Sequence, residues 1–489
     1  MDYEKIILQL TEQLNHQIEL NEKLTSTVET LQNTITELQE TIRELRRQLN
    51  QDSHNSSKPP SSDGYDKPHP KSSRIKSGKK PGGQKGHIGK SIVLPHEPDS
   101  IKMHLPQKCL TCPLLSKCLK SGTVFSCAEK RYVIDVELKT VVTEHQVMEV
   151  SKCECGEKGI TGDFPSDVRG YIQYGSSVNV ITGLLSTYGA VSISRIHDLM
   201  SSMFGISLST GSISSMISRC ALKVGDTLEK IRRHLSDDNI VHFDETGART
   251  AGTLYWVHNS STGKYTYQTV SRKRGREGME DNGVLPEFSG TAVHDCWASY
   301  WRYDDIDHAI CGAHVLRELT GIEENWPEHI WSVKFKELLL SMKVSKEKAQ
   351  AKGKDHLSRY CLKKYSKEYD EIVDLAEQEC PVPVYDDFHK RGRKKKGKER
   401  SLIERLQVLK DEVCLFIHDF DVPFDNNQAE RDLRNVKTKI KVSGCFRSEK
   451  GAQDYLDVMS YLSTGRKHGI SVFDALTAAF NGNSDIVLL

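Results

Sequence analysis

The stretch "FDNNQAERDLRNVKTKIK", residues 424–441, decides how this chain is read. Counted from Arg431 to Lys450, it holds seven Lys or Arg against two acids. Glu430 nevertheless stands at helical spacing from Arg434, Lys437 and Lys441, so a carboxylate shares one helix face with cations. A basic face suits polyphosphate, and a bare carboxylate there would repel it. A divalent cation reconciles the two, because it binds carboxylate and phosphate oxygens together. The plainer reading takes Asn427-Gln-Ala-Glu430 as a helix-capping box. The metal reading requires further carboxylates elsewhere in the chain.

Two lie upstream. "NIVHFDETGART" (239–250) reads as a strand ending in Asp244, followed by two alternating strands, "TLYWVHNSS" (253–261) and "KYTYQTVSR" (264–272). "GTAVHDCWASY" (290–300) is a further short strand that ends at Asp295. Each aspartate alone could simply end a strand and cap a turn. On adjacent strands they would stand side by side, and Glu430 on a late helix would complete a three-carboxylate cluster. Carboxylates that close raise one another's pKa. Two Mg²⁺ (or Mn²⁺) ions about 3.5–4 Å apart would remove the repulsion and stabilise the attacking and leaving oxygens of a phosphoryl transfer. Arg431, Arg434, Lys437, Lys441 and Arg447 would then hold DNA phosphates.

The net charge of +1 over 489 residues excludes a generic polycation, yet residues 67–90 carry eight Lys or Arg and no acid, and "KRGRKKKGKER" (390–400) carries eight against one. Clustered basic segments on a balanced chain point to nucleic acid rather than membrane. No apolar run is long enough to span a bilayer and no signal-peptide pattern opens the chain, which implies a cytoplasmic, nucleoid-associated protein. Thirteen cysteines in a reducing compartment argue for metal or core roles, not disulfides.

Residues 1–50 repeat as a heptad, with Ile7, Leu14, Asn21, Val28, Ile35, Ile42 and Leu49 at a and Leu10, Gln17, Leu24, Leu31, Leu38 and Leu45 at d. That pattern predicts a parallel coiled coil, hence a homodimer or higher oligomer. Residues 51–100 are polar and rich in Pro, Gly and Ser, a disordered basic linker. Residues 101–165 carry Cys109 and Cys112, then the alternating stretch "RYVIDVELKTVVTEHQVMEV" (131–150), then Cys153 and Cys155. Four thiolates fit a structural Zn²⁺ site, with Cys118 and Cys127 as substitutes. Residues 170–235 read as helices separated by glycine turns, with Ser209 as an N-cap and a helix-turn-helix-like pattern suited to DNA.

"HFDETG", "VHDCWASYW", "CGAHVLREL" and "DNNQAERDLRNVKTKIKVSGCFRSEKGA" resemble, in order, the successive blocks of the insertion-sequence-sixty-six family of bacterial DDE transposases. "NSSKPPSSDG" and the "CLTC…CECG" module resemble that family's N-terminal region. The resemblance implies a multidomain α/β protein with an RNase H-like catalytic core, residues 236–320 and 421–489, split by a helical insertion at 321–420. It implies that Asp244, Asp295 and Glu430 are the catalytic, metal-binding triad, and that Cys311 and His314 form an accessory C-x-x-H element. It implies DNA cleavage at element ends and strand transfer into target DNA, with helper proteins of the same element as partners. A dimeric DNA-binding regulator on an inactive core, or a structure-specific nuclease, would share most of these features.

Overall fold

The computed structural model describes residues 3–49, 52, 54–55, 94–121, 127, 129–151, 154–155, 160–382 and 397–489. Most of the 51–100 linker, Cys153 and most of the 390–400 basic run lie outside the described residues. The chain divides into two compact units, residues 1–70, 165–199 and 207–489 in one, and 71–164 with 200–206 in the other. Among the described residues no helix is long and apolar enough to cross a membrane.

The first unit opens with α1 (Tyr3–Leu49), a single helix whose heptad stripe faces outward along its length. Leu10, Leu24 and Leu31 are each more than half exposed, which leaves the apolar seam without a partner among the described residues. The second unit holds two short helices, α2 (Gln107–Leu110) and α3 (Leu115–Lys120), and a small antiparallel hairpin, β1 (Glu149–Val150) with β2 (Ile160–Thr161). The strands expected over 131–148 do not form. Val133, Val136 and Val142 stand exposed there, and an alternating stretch becomes a strand only when a neighbour takes its backbone hydrogen bonds and buries one face.

α4 (Ser176–Ser186) and α6 (Thr210–Ser236) belong to the first unit, and α5 (Ile193–Phe204) is divided, its residues from 200 onward falling in the second. Ser209 caps α6 as its sequence suggests, its side chain accepting the Ser212 N–H at 3.0 Å. The buried face of α6, Ile213 through Leu235 at three- and four-residue steps, is one wall of the core.

β3 (Ile240–Thr250), β4 (Thr253–Ser261) and β5 (Thr266–Ser271) form an antiparallel meander. Ala251 (φ 49°) and Gly252 (φ 80°) close the first hairpin with the two left-handed residues that a type I′ turn requires. After α7 (Arg276–Asn282) come β6 (Thr291–His294) and β7 (Asp307–Ile310), both parallel to β3. The sheet order is β5-β4-β3-β6-β7. β3 does not end at Asp244 as its sequence suggested. It runs six residues further because β4 keeps pairing with it after β6 has stopped.

α8 (Gly312–Asn325) leads into α9 (Trp331–Gln350), α10 (Arg359–Glu379), α11 (Lys398–Val408) and α12 (Lys410–His418). These helices pack around Trp331, Phe335 and Tyr369, and their core continues into Val293, Ala309 and Ile310 of the sheet. Arg400 does not serve the basic run. It is buried between Glu377 (2.7 Å) and Glu404, where an unpaired guanidinium would be costly. Finally α13 (Asn427–Ser443) crosses β3 and β4, α14 (Glu449–Lys467) packs on β5 and α6, and α15 (Val472–Phe480) closes the core.

Candidate active site

The parallel register of β3 and β6 builds the site. Ile240, Val241 and His242 face Thr291, Ala292 and Val293, so carrying the register two residues on sets Asp244 opposite Asp295. Neighbouring strands lie about 4.8 Å apart, which makes the two aspartates near neighbours just where β6 ends. Ala248 and Val257, on the same sheet face as Asp244, pack against Leu433 and Val436 of α13. That packing brings Glu430, in the first turn of α13, over the aspartates.

The electrostatics follow from this crowding. Partial burial, then the charges of Glu245, Asp295 and Glu430, hold Asp244 well above the usual carboxylate range, with Lys437 pulling the other way. Asp295 is also raised, chiefly by burial and then by Glu245, against the opposing pull of His314, the Trp297 N–H and Arg274. Each carboxylate is tied locally. Asp244 Oδ1 accepts the Glu245 N–H (2.9 Å), Asp295 Oδ1 accepts the Trp297 N–H (3.0 Å), and Glu430 Oε1 accepts from the Arg317 guanidinium (2.8 Å). Among the described residues no three His, Cys, Asp or Glu side chains gather closely enough to hold a metal ion as they stand. Glu430 is paired with Arg317 instead.

The capping-box reading of Glu430 is not realised. Asn427 is the first residue of the helix rather than its cap, and the Glu430 carboxylate turns to Arg317. Asn426 carries out a different task that its sequence did not announce. Its Nδ2 donates to Phe243 O (2.7 Å), its Oδ1 accepts from His242 Nδ1 (2.7 Å), and its N–H bonds Cys311 Sγ (3.1 Å). One buried asparagine thus pins the start of α13 to β3 beside Asp244 through its side chain and to the start of α8 through its backbone N–H. Gly312 is part of the same joint. Its N–H donates to Phe424 O (2.8 Å), and a Cβ there would come within 2.4 Å of the Phe424 ring.

Cys311, the cap residue of α8, and His314, in its first turn, flank this joint. Burial pushes the Cys311 thiol up to about 12, so it is a neutral packing and hydrogen-bonding group. Burial, then the Arg317 charge, lowers the His314 pKa against the pull of Asp295 and Glu430, and its buried Nδ1 has no hydrogen-bond partner among the described residues. A cavity of about 10 Å³ opens beside it, lined by Asp295, Cys296, His314, Glu318 and Arg405, about one water in size. Arg405 reaches this cavity from α11 and pairs with Glu318, so the helices between α8 and α13 touch the site.

The turn after Asp295 is held by a chain of neutral histidines. The Cys296 N–H donates to His294 Nδ1 (3.0 Å), which leaves the His294 proton on Nε2, directed to His308 Nδ1 (3.0 Å). His308 Nε2 in turn donates to Tyr303 O (3.0 Å). The chain steadies Cys296 at φ 71°, a left-handed conformation costly for a residue with a Cβ.

On the opposite sheet face Glu245 is buried and fully satisfied. Arg274 donates to its Oε1 through Nε (2.8 Å) and Nη2 (2.7 Å), and Tyr300 donates to its Oε2 (2.9 Å). The Arg274 guanidinium lies over the rings of Trp297 (4.2 Å) and Trp256 (4.9 Å).

Of the basic residues singled out, Arg431, Arg434, Lys441 and Arg447 are exposed, and Lys437 is half-buried near Asp244. Lys439, counted in the same run, turns inward and donates to Ser186 O (2.9 Å) and Val191 O (3.0 Å). Of the expected zinc ligands, Cys109 and Cys112 sit on one turn, Cys155 is exposed at the β1–β2 hairpin, and Cys153 lies outside the described residues.

A family model described as "Transposase IS66 family" matches residues 185–454, from α4 through the start of α14. A second, described as a family of unknown function, matches residues 8–92. No curated protein matches the chain. The first match spans more than half of the protein and takes in both aspartates, Glu430 and every helix between them, and the chain therefore belongs to the IS66 family of transposases.

Proposed function

We propose that Asp244, Asp295 and Glu430 are the metal-binding centre of a transposase that cleaves DNA strands at element ends and joins them to target DNA. The observation that carries this reading is the register that sets Asp244 beside Asp295, with α13 bringing a third carboxylate whose charge raises Asp244. The donor set suits hard divalent cations such as Mg²⁺ or Mn²⁺, because three oxygen anions repel one another until a cation joins them. The unpartnered Nδ1 of His314 beside Asp295 adds a polar atom to that donor set. Divalent ions bound here would supply the charge that activates the attacking oxygen and steadies the leaving oxygen.

The rest of the work falls to the chain. Lys437, beside Asp244, is placed for the phosphate nearest the carboxylates, while exposed Arg431, Arg434, Lys441 and Arg447 hold the flanking backbone. Asn426 and the histidine chain keep α13 and the Asp295 turn in place. The order β5-β4-β3-β6-β7, antiparallel then parallel, supports an RNase H-like core with α9–α12 as its insertion. The unpartnered stripe of α1 supports a parallel homodimer, which suits a reaction on two DNA ends. Cys109, Cys112, Cys153 and Cys155 would hold a structural Zn²⁺ in the second unit, and with α4–α6 that unit would recognise the element ends.

The test is a nicking and joining assay on labelled DNA from both flanks of the gene, with and without Mg²⁺. Site-specific 3′-hydroxyl ends and joined products are expected, lost in Asp244→Ala, Asp295→Asn and Glu430→Gln. Cleavage that survives in any of the three would overturn the assignment of that residue.

A further inference from the structure

We propose that Arg317 is an exchangeable counter-ion of the centre: it holds Glu430 while the centre has no metal, and passes to a DNA phosphate when a divalent cation takes the carboxylate. This rests on the reading of Asp244, Asp295 and Glu430 as a metal centre.

Three observations lead here. Arg317 Nη2 lies 2.8 Å from Glu430 Oε1, and the two side chains are only 26 % and 28 % exposed, so the pair is partly shielded from water and salt. Arg317 has no other ion-pair partner among the described residues. His314 and Arg317 follow the α8 cap residue Cys311 at three-residue steps, so all three lie along one side of the start of α8, and that side meets the first turn of α13. The backbones on both sides are fixed, by Asn426 to Cys311 and Phe243 and by Gly312 against Phe424, so closing or opening the pair requires the Arg317 side chain to turn and no helix to slide.

The charge count favours exchange. Arg317 pairs with Glu430 and Lys437 lies near Asp244, while the other cations beside Asp295 are paired off, Arg274 with Glu245 and Arg405 with Glu318. Three carboxylates against two cations leave a net negative cluster that a doubly charged ion would overcompensate unless one cation withdraws. A guanidinium released from a carboxylate finds its next best partner in a phosphate, whose oxygens match the same planar fork. The strand to be cut brings that phosphate to the centre. Arg317 is thus a positioning residue for Glu430 before the metal arrives, and a phosphate ligand afterwards.

The exchange is read without any catalysis. Mn²⁺ binding to the full chain is titrated in the absence of DNA, following the free-ion signal by electron paramagnetic resonance. Arg317→Gln is expected to bind Mn²⁺ about tenfold more tightly than the wild type, the size of coupling that one competing ion pair gives. Lys437→Gln removes a nearby charge that makes no contact with Glu430, and is expected to gain less than about threefold. In a Glu430→Gln background the Arg317→Gln gain should vanish. Arg317→Lys, which keeps the charge and gives up the fork, should fall between wild type and Arg317→Gln and carries the test if the Gln protein does not fold. An Arg317→Gln affinity equal to wild type, equal to Lys437→Gln, or still raised without Glu430 overturns the exchange. Asp244→Asn separates the two claims: Mn²⁺ binding indifferent to it overturns the centre itself, whereas Asp244-dependent binding with no Arg317 effect overturns only the exchange.

Discussion

Asp244 and Glu245 are consecutive residues of β3, point to opposite faces of one sheet, and meet opposite treatment. Glu245 is enclosed by fixed donors, with Arg274 clasping one oxygen and Tyr300 the other, and two tryptophan rings against the guanidinium. Asp244 receives one backbone N–H and faces two further carboxylates. A buried carboxylate whose partners are built in is a structural element. One held well above its usual pKa by burial and then by like charges suits the cation site proposed above. The difference separates the two without reference to any relative.

The largest effect that bears on this contrast is kinetic. Asp244→Asn should lower strand cleavage by about a thousandfold or more, the scale seen when a principal charge-stabilising group is lost. DNA binding by the same protein should stay near wild type in a gel-shift titration. Retained cleavage would make Asp244 as structural as its neighbour.

A second contrast lies on α13, where Lys437 looks to the carboxylates while Lys439 is buried against backbone carbonyls. Burial pushes Lys439 down to about 8. The folded state therefore disfavours the proton that the unfolded chain keeps until about pH 10.4, so stability carried by this residue rises as pH climbs between those values. Compared with Lys439→Met, the wild type should gain about 3 kcal/mol over that window in urea unfolding. A constant difference between the two proteins would mean that Lys439 is not held in a low-pKa site.

Glu245→Gln should destabilise the protein by about 2–3 kcal/mol, because it leaves the Arg274 charge without its partner. A thermal melt that shows no loss would erase the distinction between the two faces. Arg434→Ala is expected to have the smallest effect: weaker DNA binding at every sequence, with the salt dependence reduced by about one phosphate contact. A change in sequence preference instead would place Arg434 at a base edge.

Much of the site was legible because its parts have local signatures. Asp244 and Asp295 each follow an apolar strand, and Glu430 stands among cations at helical spacing, so chemistry and periodicity reported them. The partners were not legible because they are set by tertiary contact. Asn426 looks like one of two ordinary turn asparagines until Phe243 and Cys311 are brought to it. Arg317 is one of many helix cations until α13 sets Glu430 beside it, although its place three residues after His314 was a usable signal. The same limit explains the misread segments. Alternation over 131–148 suggested strands, but among the described residues no strand pairs with them. The charge run at 390–400 suggested nucleic acid, yet Arg400, among its described residues, turns inward to Glu377.

The most direct test compares thermal unfolding of the wild type and Asp244→Asn with and without Mg²⁺. Without the ion, Asp244→Asn should melt above the wild type, because the change removes a repelling charge while the amide Oδ1 can still accept the Glu245 N–H. With Mg²⁺ the wild type should rise and the variant should not, since a ligand stabilises only the protein that binds it. A variant that melts lower without the ion, or that responds to Mg²⁺ as the wild type does, would contradict the account that Asp244 is held ready for a cation.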